Sequence, residues 1–239
     1  MQTEEAIRAA ISRLTLAQRA RLADWLAGKM REGEEPPSVG EARAAYALSE
    51  LHMTLEQYWA FEAASSQRHE FLNGALYAMS GASVAHNQIT LRLAQALSRR
   101  LHGGPCQVFL SDLKLRLELG EDQIIYYPDV MVACQPQHWG HDFIADPRLV
   151  AEVLSPSTRH IDQREKSLSY QRSASIEEYL ILSQRECCAL VHRREQHWAA
   201  QRLDGADAAL ELHSLGVSLR LGEIYDGVRF AEPPPSAAQ

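Results

Sequence analysis

Apolar residues recur at two different periods along this chain, and the switches between those periods mark out its elements. In "SVAHNQITLRLAQALSRRLHGG" the residues Ile89, Leu93, Leu97 and Leu101 follow every fourth position, and Gly103-Gly104 closes the run. That pattern predicts a helix. Directly after it, "CQVFLSDLKLRLEL" alternates: Leu113, Leu115, Leu117 and Leu119 point one way, while Asp112, Lys114, Arg116 and Glu118 point the other. A single strand with one wet face is expected there. A turn at "GEDQ" leads into "IIYYPDVMVAC", which reads as a nearly continuous apolar strand. After a loop, "LVAEVLS" and "EEYLILS" read as two more strands, with a helix near 162–173 between them. "CCALVHRR" and "HWAAQRLD" read as a C-terminal hairpin.

Upstream, "RHEFLNGALYAMS" places Asn73-Gly74 between two short apolar runs, a strong hairpin signal. "TLEQYWAFEAAS" reads as a short helix before it. Residues 3–30 suggest two further amphipathic helices, and "REGEEPPSVGE" suggests a linker. The domain expectation is therefore a helical extension and linker at 1–45, one main domain at 46–230, and a disordered tail at 231–239. Long apolar strands beside helices predict an α/β fold, a central sheet covered on both faces.

Composition narrows the class. An apolar fraction of 46% over 239 residues is ample for a core, and no apolar run is long enough to span a membrane. The opening "MQTEEAIRAAISRL" has no apolar core before a cleavage site, so no signal peptide is expected. Cys106, Cys134, Cys187 and Cys188 sit in apolar stretches without a Cys-x-x-Cys pair. They read as buried thiols in a reducing, cytoplasmic setting. A formal charge of −7 weighs against a nucleic-acid partner. The stretch "RHIDQREKSLSYQR", Arg159 to Arg172, is nonetheless basic.

Two acids break otherwise apolar strands: Asp129 in "YYPDVMV" and Glu152 in "LVAEVLS". Burying an unpaired carboxylate is costly. If these strands are neighbours in register, the two anions approach each other, and a divalent cation relieves their repulsion. Mg²⁺ or Mn²⁺ suits such a pair, since Mg²⁺ accepts one or two carboxylates, keeps several waters and takes phosphate oxygens. Lys166, on the following helix, is the best candidate for a positive group near a scissile phosphate, and Lys114 is the second. Each residue also has an ordinary reading. Asp129 alone could accept strand-edge hydrogen bonds, Lys166 could be a solvated helix residue, and Asp112 could pair with Lys114 or Arg116. His86 could cap a turn or bond to a phosphate. "SPST" could be an N-cap segment or offer N–H groups to a phosphate, with Ser155 the first of them.

Pro128-Asp129, Glu152 in "EVLSPST", Lys166 and Tyr170 in "REKSLSY", and the upstream "HEFLNGALYAMSGASVAHNQI" and "SDLKLRL" together resemble the bacterial Uma-two family. That family belongs to the PD-(D/E)xK nucleases, and the resemblance spans roughly residues 53–229. It implies a restriction-endonuclease-like central mixed sheet flanked by helices. It also implies Asp129 and Glu152 as metal ligands, with Glu70 and Asp112 as further metal candidates, Lys166 as the motif lysine, and Glu70, His86 and Asp112 lining the same pocket. The implied activity is Mg²⁺-dependent endonuclease cleavage of nucleic acid, with DNA the expected substrate and a homodimer the expected assembly. The sequence departs from the parent motif at Leu154, where lysine is usual, so Lys166 would supply the amine from the helix. A non-catalytic binding or regulatory module on the same fold is the alternative, with the N-terminal helices docking a protein partner. A glycosidase ranks third, because only 7% of the chain is aromatic.

Overall fold

A computed structural model describes residues 53–79, 82–154 and 166–230. The expected N-terminal helices, the C-terminal tail and Ser155 lie outside the described residues. The described chain divides into two compact units, 53–79 with 118–126, and 82–117 with 127–154 and 166–230.

The first unit is a helix and three short strands. Helix α1 (Leu55–Ala64) starts at Thr54, whose hydroxyl accepts from Gln57 N while Gln57 Oε1 accepts from Thr54 N. This capping box satisfies two of the N–H groups that a helix start leaves unpaired. Strands β1 (His69–Leu72) and β2 (Ala75–Ala78) form the expected hairpin. Asn73 and Gly74 turn it with φ of 48° and 99°, the left-handed conformations that this dipeptide tolerates. β1 also pairs antiparallel with β5 (Asp122–Tyr126). Met53, Tyr58, Phe61, Phe71, Leu76 and Ile125 make the unit's core.

The second unit is built on helix α2 (Val84–Arg100), strand β3 (Gln107–Leu110) and strand β6 (Val130–Ala133). β8 (Leu149–Leu154), β9 (Glu178–Ser183), β10 (Cys188–Arg193) and β11 (Ala200–Asp204) complete a mixed sheet in the order β11-β10-β9-β8-β6-β3. Its β8–β9 pair is parallel, and the intervening chain carries helix α3 (Ser167–Arg172). β4 (Lys114–Leu119) pairs in parallel with the short β7 (Phe143–Ile144). A hairpin, β12 (Ala209–Leu212) and β13 (Val217–Arg220), and helix α4 (Leu221–Tyr225) close the chain. Neither was foreseen from the sequence, because segments of four or five residues are too short to establish a period.

Every fourth residue of α2 is buried, as its spacing demands: Ile89, Leu93 and Leu97 are fully covered. They pack with Val130, Val132, Leu149, Ala151, Val153, Leu180 and Leu182 of the central strands. Because side chains alternate across a strand, the residues between these, including Glu152, face the opposite side of the sheet. Ion-pair chemistry also ties the unit together. Glu178 is buried and accepts from Arg193 Nε (3.1 Å), His213 N (3.0 Å), and Ser214 N and Oγ (3.2 and 2.5 Å), which anchors β9 and β10 to the β12–β13 connection.

Three expectations need correction. "CQVFLSDLKLRLEL" is two strands, β3 and β4, separated by a turn at Ser111-Asp112. Two short strands in different sheets can share one alternating pattern, which periodicity does not resolve. "IIYYPDVMVAC" is likewise two strands, β5 and β6, in different sheets. Pro128, which lacks an N–H for the ladder, stands between them. Finally, Cys106 and Cys134 form a disulfide and are not free thiols. The β3–β6 register pairs Gln107 with Ala133, which sets the two cysteines opposite each other just beyond the strand ends. The reducing setting inferred from four free thiols loses that support.

Cys187 and Cys188 remain free. Burial pushes both thiols up, Cys188 to about 11, with Glu186 and Asp204 adding to the effect and Arg202 opposing it. A raised folded-state pKa contributes stability that is intact below the unfolded value and lost as pH rises towards the folded one. Stability is therefore expected to fall between about pH 9 and about pH 11 in wild type, and less so in Cys188→Ala, as followed by urea melts. Thiol titration of the unreduced, denatured chain should find two free groups, and four after reduction.

Candidate active site

The two in-strand acids meet through the β6–β8 pairing. The strands run antiparallel with Val130 opposite Ala151 and Met131 opposite Val150. Continuing that register by one residue sets Asp129 opposite Glu152. Directly opposed residues in an antiparallel pair project to the same face. Asp129 is therefore not in the middle of a strand, but at the mouth of β6 just after Pro128. Both acids are buried, at 8% and 4% exposure.

Each is held by named donors. Asp129 Oδ2 accepts from the backbone N–H of Val153 at 2.7 Å and lies 3.1 Å from His86 Nε2. Ser111 Oγ donates to the Asp129 carbonyl at 3.4 Å. Glu152 Oε1 receives Lys166 Nζ at 3.1 Å and the Tyr170 hydroxyl at 2.9 Å. Lys166 and Tyr170 are four residues apart at the start of α3, so both project from one helix face. Because they reach Glu152, α3 approaches the sheet on the side away from the α2 core. Tyr170 is fully buried and packs edge-on against Tyr179 of β9, with ring centroids 4.9 Å apart.

His86 comes from the first turn of α2. Ser83 caps that helix by accepting from His86 N at 3.1 Å. Lys114, the second cationic candidate, pairs with Asp142 at 3.1 Å and lies 5.7 Å from the centre of the Tyr127 ring. Asp112 is exposed in the turn before β4. Glu70 is buried on β1 of the other unit, opposite Tyr77. Among the described residues, no group of three or more His, Cys, Asp or Glu side chains is arranged to hold a metal ion.

The structure thus sets two bonded pairs, Asp129 with His86 and Glu152 with Lys166, on neighbouring strands of one sheet. Sequence reasoning gave Tyr170 no role at the site. Its spacing of four from Lys166 was the available signal. It also missed Gln184, for which the sequence offers no signal, since its partner Ser83 is 101 positions away.

Comparison with known proteins agrees with this picture. Residues 55–222 match the model of the family Uma2, described as "Putative restriction endonuclease". The chain is 35% identical over 178 residues to the Synechocystis protein slr1290, covering 73% of this chain and 92% of that one. It is 31% identical over 165 residues to sll1609 of the same organism, covering 66% and 92%. Both relatives are described only as uncharacterized. The fold resembles the crystal structure of "a putative nuclease belonging to DUF820" from Anabaena variabilis, with a TM-score of 0.60. That likeness is at 16% identity and covers 72% of this chain and 97% of the other. The mixed sheet with flanking helices is a restriction-endonuclease-like fold. The chain belongs to the Uma2 family.

A buried carboxylate stripped of its cationic partner is destabilising by about 3–5 kcal/mol, whereas removing both charges together is often near neutral. Lys166→Met is therefore expected to lower unfolding free energy in urea by about 3 kcal/mol in the absence of divalent ions. The double variant with Glu152→Gln should recover most of that loss.

Proposed function

We propose that this protein is a divalent-metal-dependent endonuclease acting on DNA. The observation that carries the reading is the β6–β8 register, which sets Asp129 and Glu152 on one face of adjacent strands, with Lys166 bonded to Glu152. The donor chemistry fits Mg²⁺ or Mn²⁺, since a hard ion that keeps several waters needs only one or two carboxylates. Membership of a family described as "Putative restriction endonuclease" supports the same reading.

In this reading Asp129 and Glu152 hold the ion, which when bound would polarise a phosphoryl oxygen and acidify a water. The protein's own groups do the rest. Val153 N–H and His86 fix the orientation of Asp129. Tyr170 and Lys166 fix Glu152. Lys166 is the amine positioned to neutralise charge that develops on the phosphodiester, at the place of the motif lysine that Leu154 leaves unfilled. His86, Lys114 and Ser155 are assigned to substrate contacts. A homodimer would present one such site to each strand of a duplex.

The test is cleavage of supercoiled plasmid with Mg²⁺, Mn²⁺ or EDTA. Wild type should nick in the presence of either metal only, and Asp129→Ala and Glu152→Ala should each lose at least about a hundredfold in rate. Metal-independent cleavage, or cleavage indifferent to both substitutions, would remove the mechanism. If wild type binds Mn²⁺ by calorimetry yet cleaves neither DNA nor RNA, the binding-module reading takes its place.

A further inference from the structure

Gln184 follows β9 and is 8% exposed, yet it belongs to neither strand pairing nor core. Its amide spans two elements. Nε2 donates to the Leu154 carbonyl at 2.8 Å, at the end of β8 and two residues beyond Glu152. Oε1 accepts from Ser83 Oγ at 2.5 Å, at the N-cap of α2. The orientation of the amide is forced. A carbonyl oxygen only accepts, so the NH₂ end must face Leu154 and the oxygen must face Ser83. Ser83 must then spend its one hydroxyl hydrogen on Gln184, which leaves its lone pairs for His86 N, 3.1 Å away.

Followed further, these bonds close a ring. From Gln184 the path runs to Ser83, to His86, and from His86 Nε2 to Asp129 Oδ2. Asp129 Oδ2 accepts from Val153 N, and the next residue, Leu154, returns to Gln184. The ring therefore joins α2, which lies on one side of the sheet, to the β6 and β8 ends that carry both acids. Each donor in it has one direction available, so the ring permits one arrangement.

We infer that Gln184 is a positioning residue for the site, a latch that fixes the start of α2 against the end of β8 so that His86 and Val153 N–H converge on one oxygen of Asp129. It touches neither substrate nor metal. Its effect on metal binding rests on the reading of Asp129 and Glu152 as ligands; the latch itself does not.

The experiment uses the full chain as Gln184→Met, which keeps bulk but neither donates nor accepts, together with Ser83→Ala and Ser83→Thr. Two quantities are measured: amide hydrogen exchange at His86 and Val153 without metal, and Mn²⁺ affinity by calorimetry. Losing a part-buried hydrogen bond of this kind should speed exchange at both amides about tenfold in Gln184→Met and Ser83→Ala. Mn²⁺ affinity should fall about fivefold or more in the same two variants, while Ser83→Thr, which keeps the hydroxyl, stays near wild type in both measurements. Wild-type exchange rates in Gln184→Met would overturn the latch. Faster exchange with Mn²⁺ affinity intact would leave a structural tie and overturn the positioning role. If wild type and Asp129→Ala both fail to bind Mn²⁺, the metal reading falls separately, and the exchange rates alone decide the latch. Should Gln184→Met fail to fold, the Ser83 pair carries the same comparison.

Discussion

The antiparallel register of β6 on β8 is the constraint on which the site depends. It sets two buried carboxylates side by side on one face of the sheet, where their repulsion and desolvation both oppose folding. The surrounding structure answers that cost with oriented donors: a backbone N–H and an imidazole for Asp129, an amine and a phenol for Glu152. A slip of one residue between the strands would send one acid to the α2 side and break the arrangement, because side chains alternate along a strand.

Glu178 shows what a purely structural buried acid looks like in the same sheet. Its Oε1 accepts from Arg193 and His213, and its Oε2 from Ser214 twice, so both oxygens are spent on fastening neighbouring elements. At Asp129 the donors Val153 and His86 both fall on Oδ2. Glu178 lies at the start of β9, facing a connection that it ties down. Asp129 and Glu152 lie on neighbouring strands beside the ends of two helices. Burial alone does not distinguish Glu178 from Asp129; the distribution of donors over their oxygens differs.

The helices are recruited from opposite sides of the sheet. α2 packs on the core face through Ile89, Leu93 and Leu97, and its first turn extends to the strand ends, where His86 reaches Asp129. α3 lies on the other face, where Lys166 and Tyr170 reach Glu152. The parallel β8–β9 connection places α3 there, since a parallel pair needs a crossover and the crossover carries the helix.

The sequence by itself determined the helix α2, the Asn73-Gly74 hairpin, the β8, β9 and β10–β11 strands, and the pair of acids that break the apolar pattern. Each of these follows from a local rule of periodicity, turn chemistry or the cost of burying charge. Tertiary structure decided where the long runs divide, because an alternating or apolar run reads the same whether it serves one sheet or two. It also decided that Cys106 meets Cys134, that Tyr170 joins Lys166 on Glu152, and that Gln184 joins Ser83 to Leu154. Those are contacts between separate elements, set by strand register and helix packing; the four-residue spacing puts Lys166 and Tyr170 on one helix face, but which acid they reach is not written in the linear pattern.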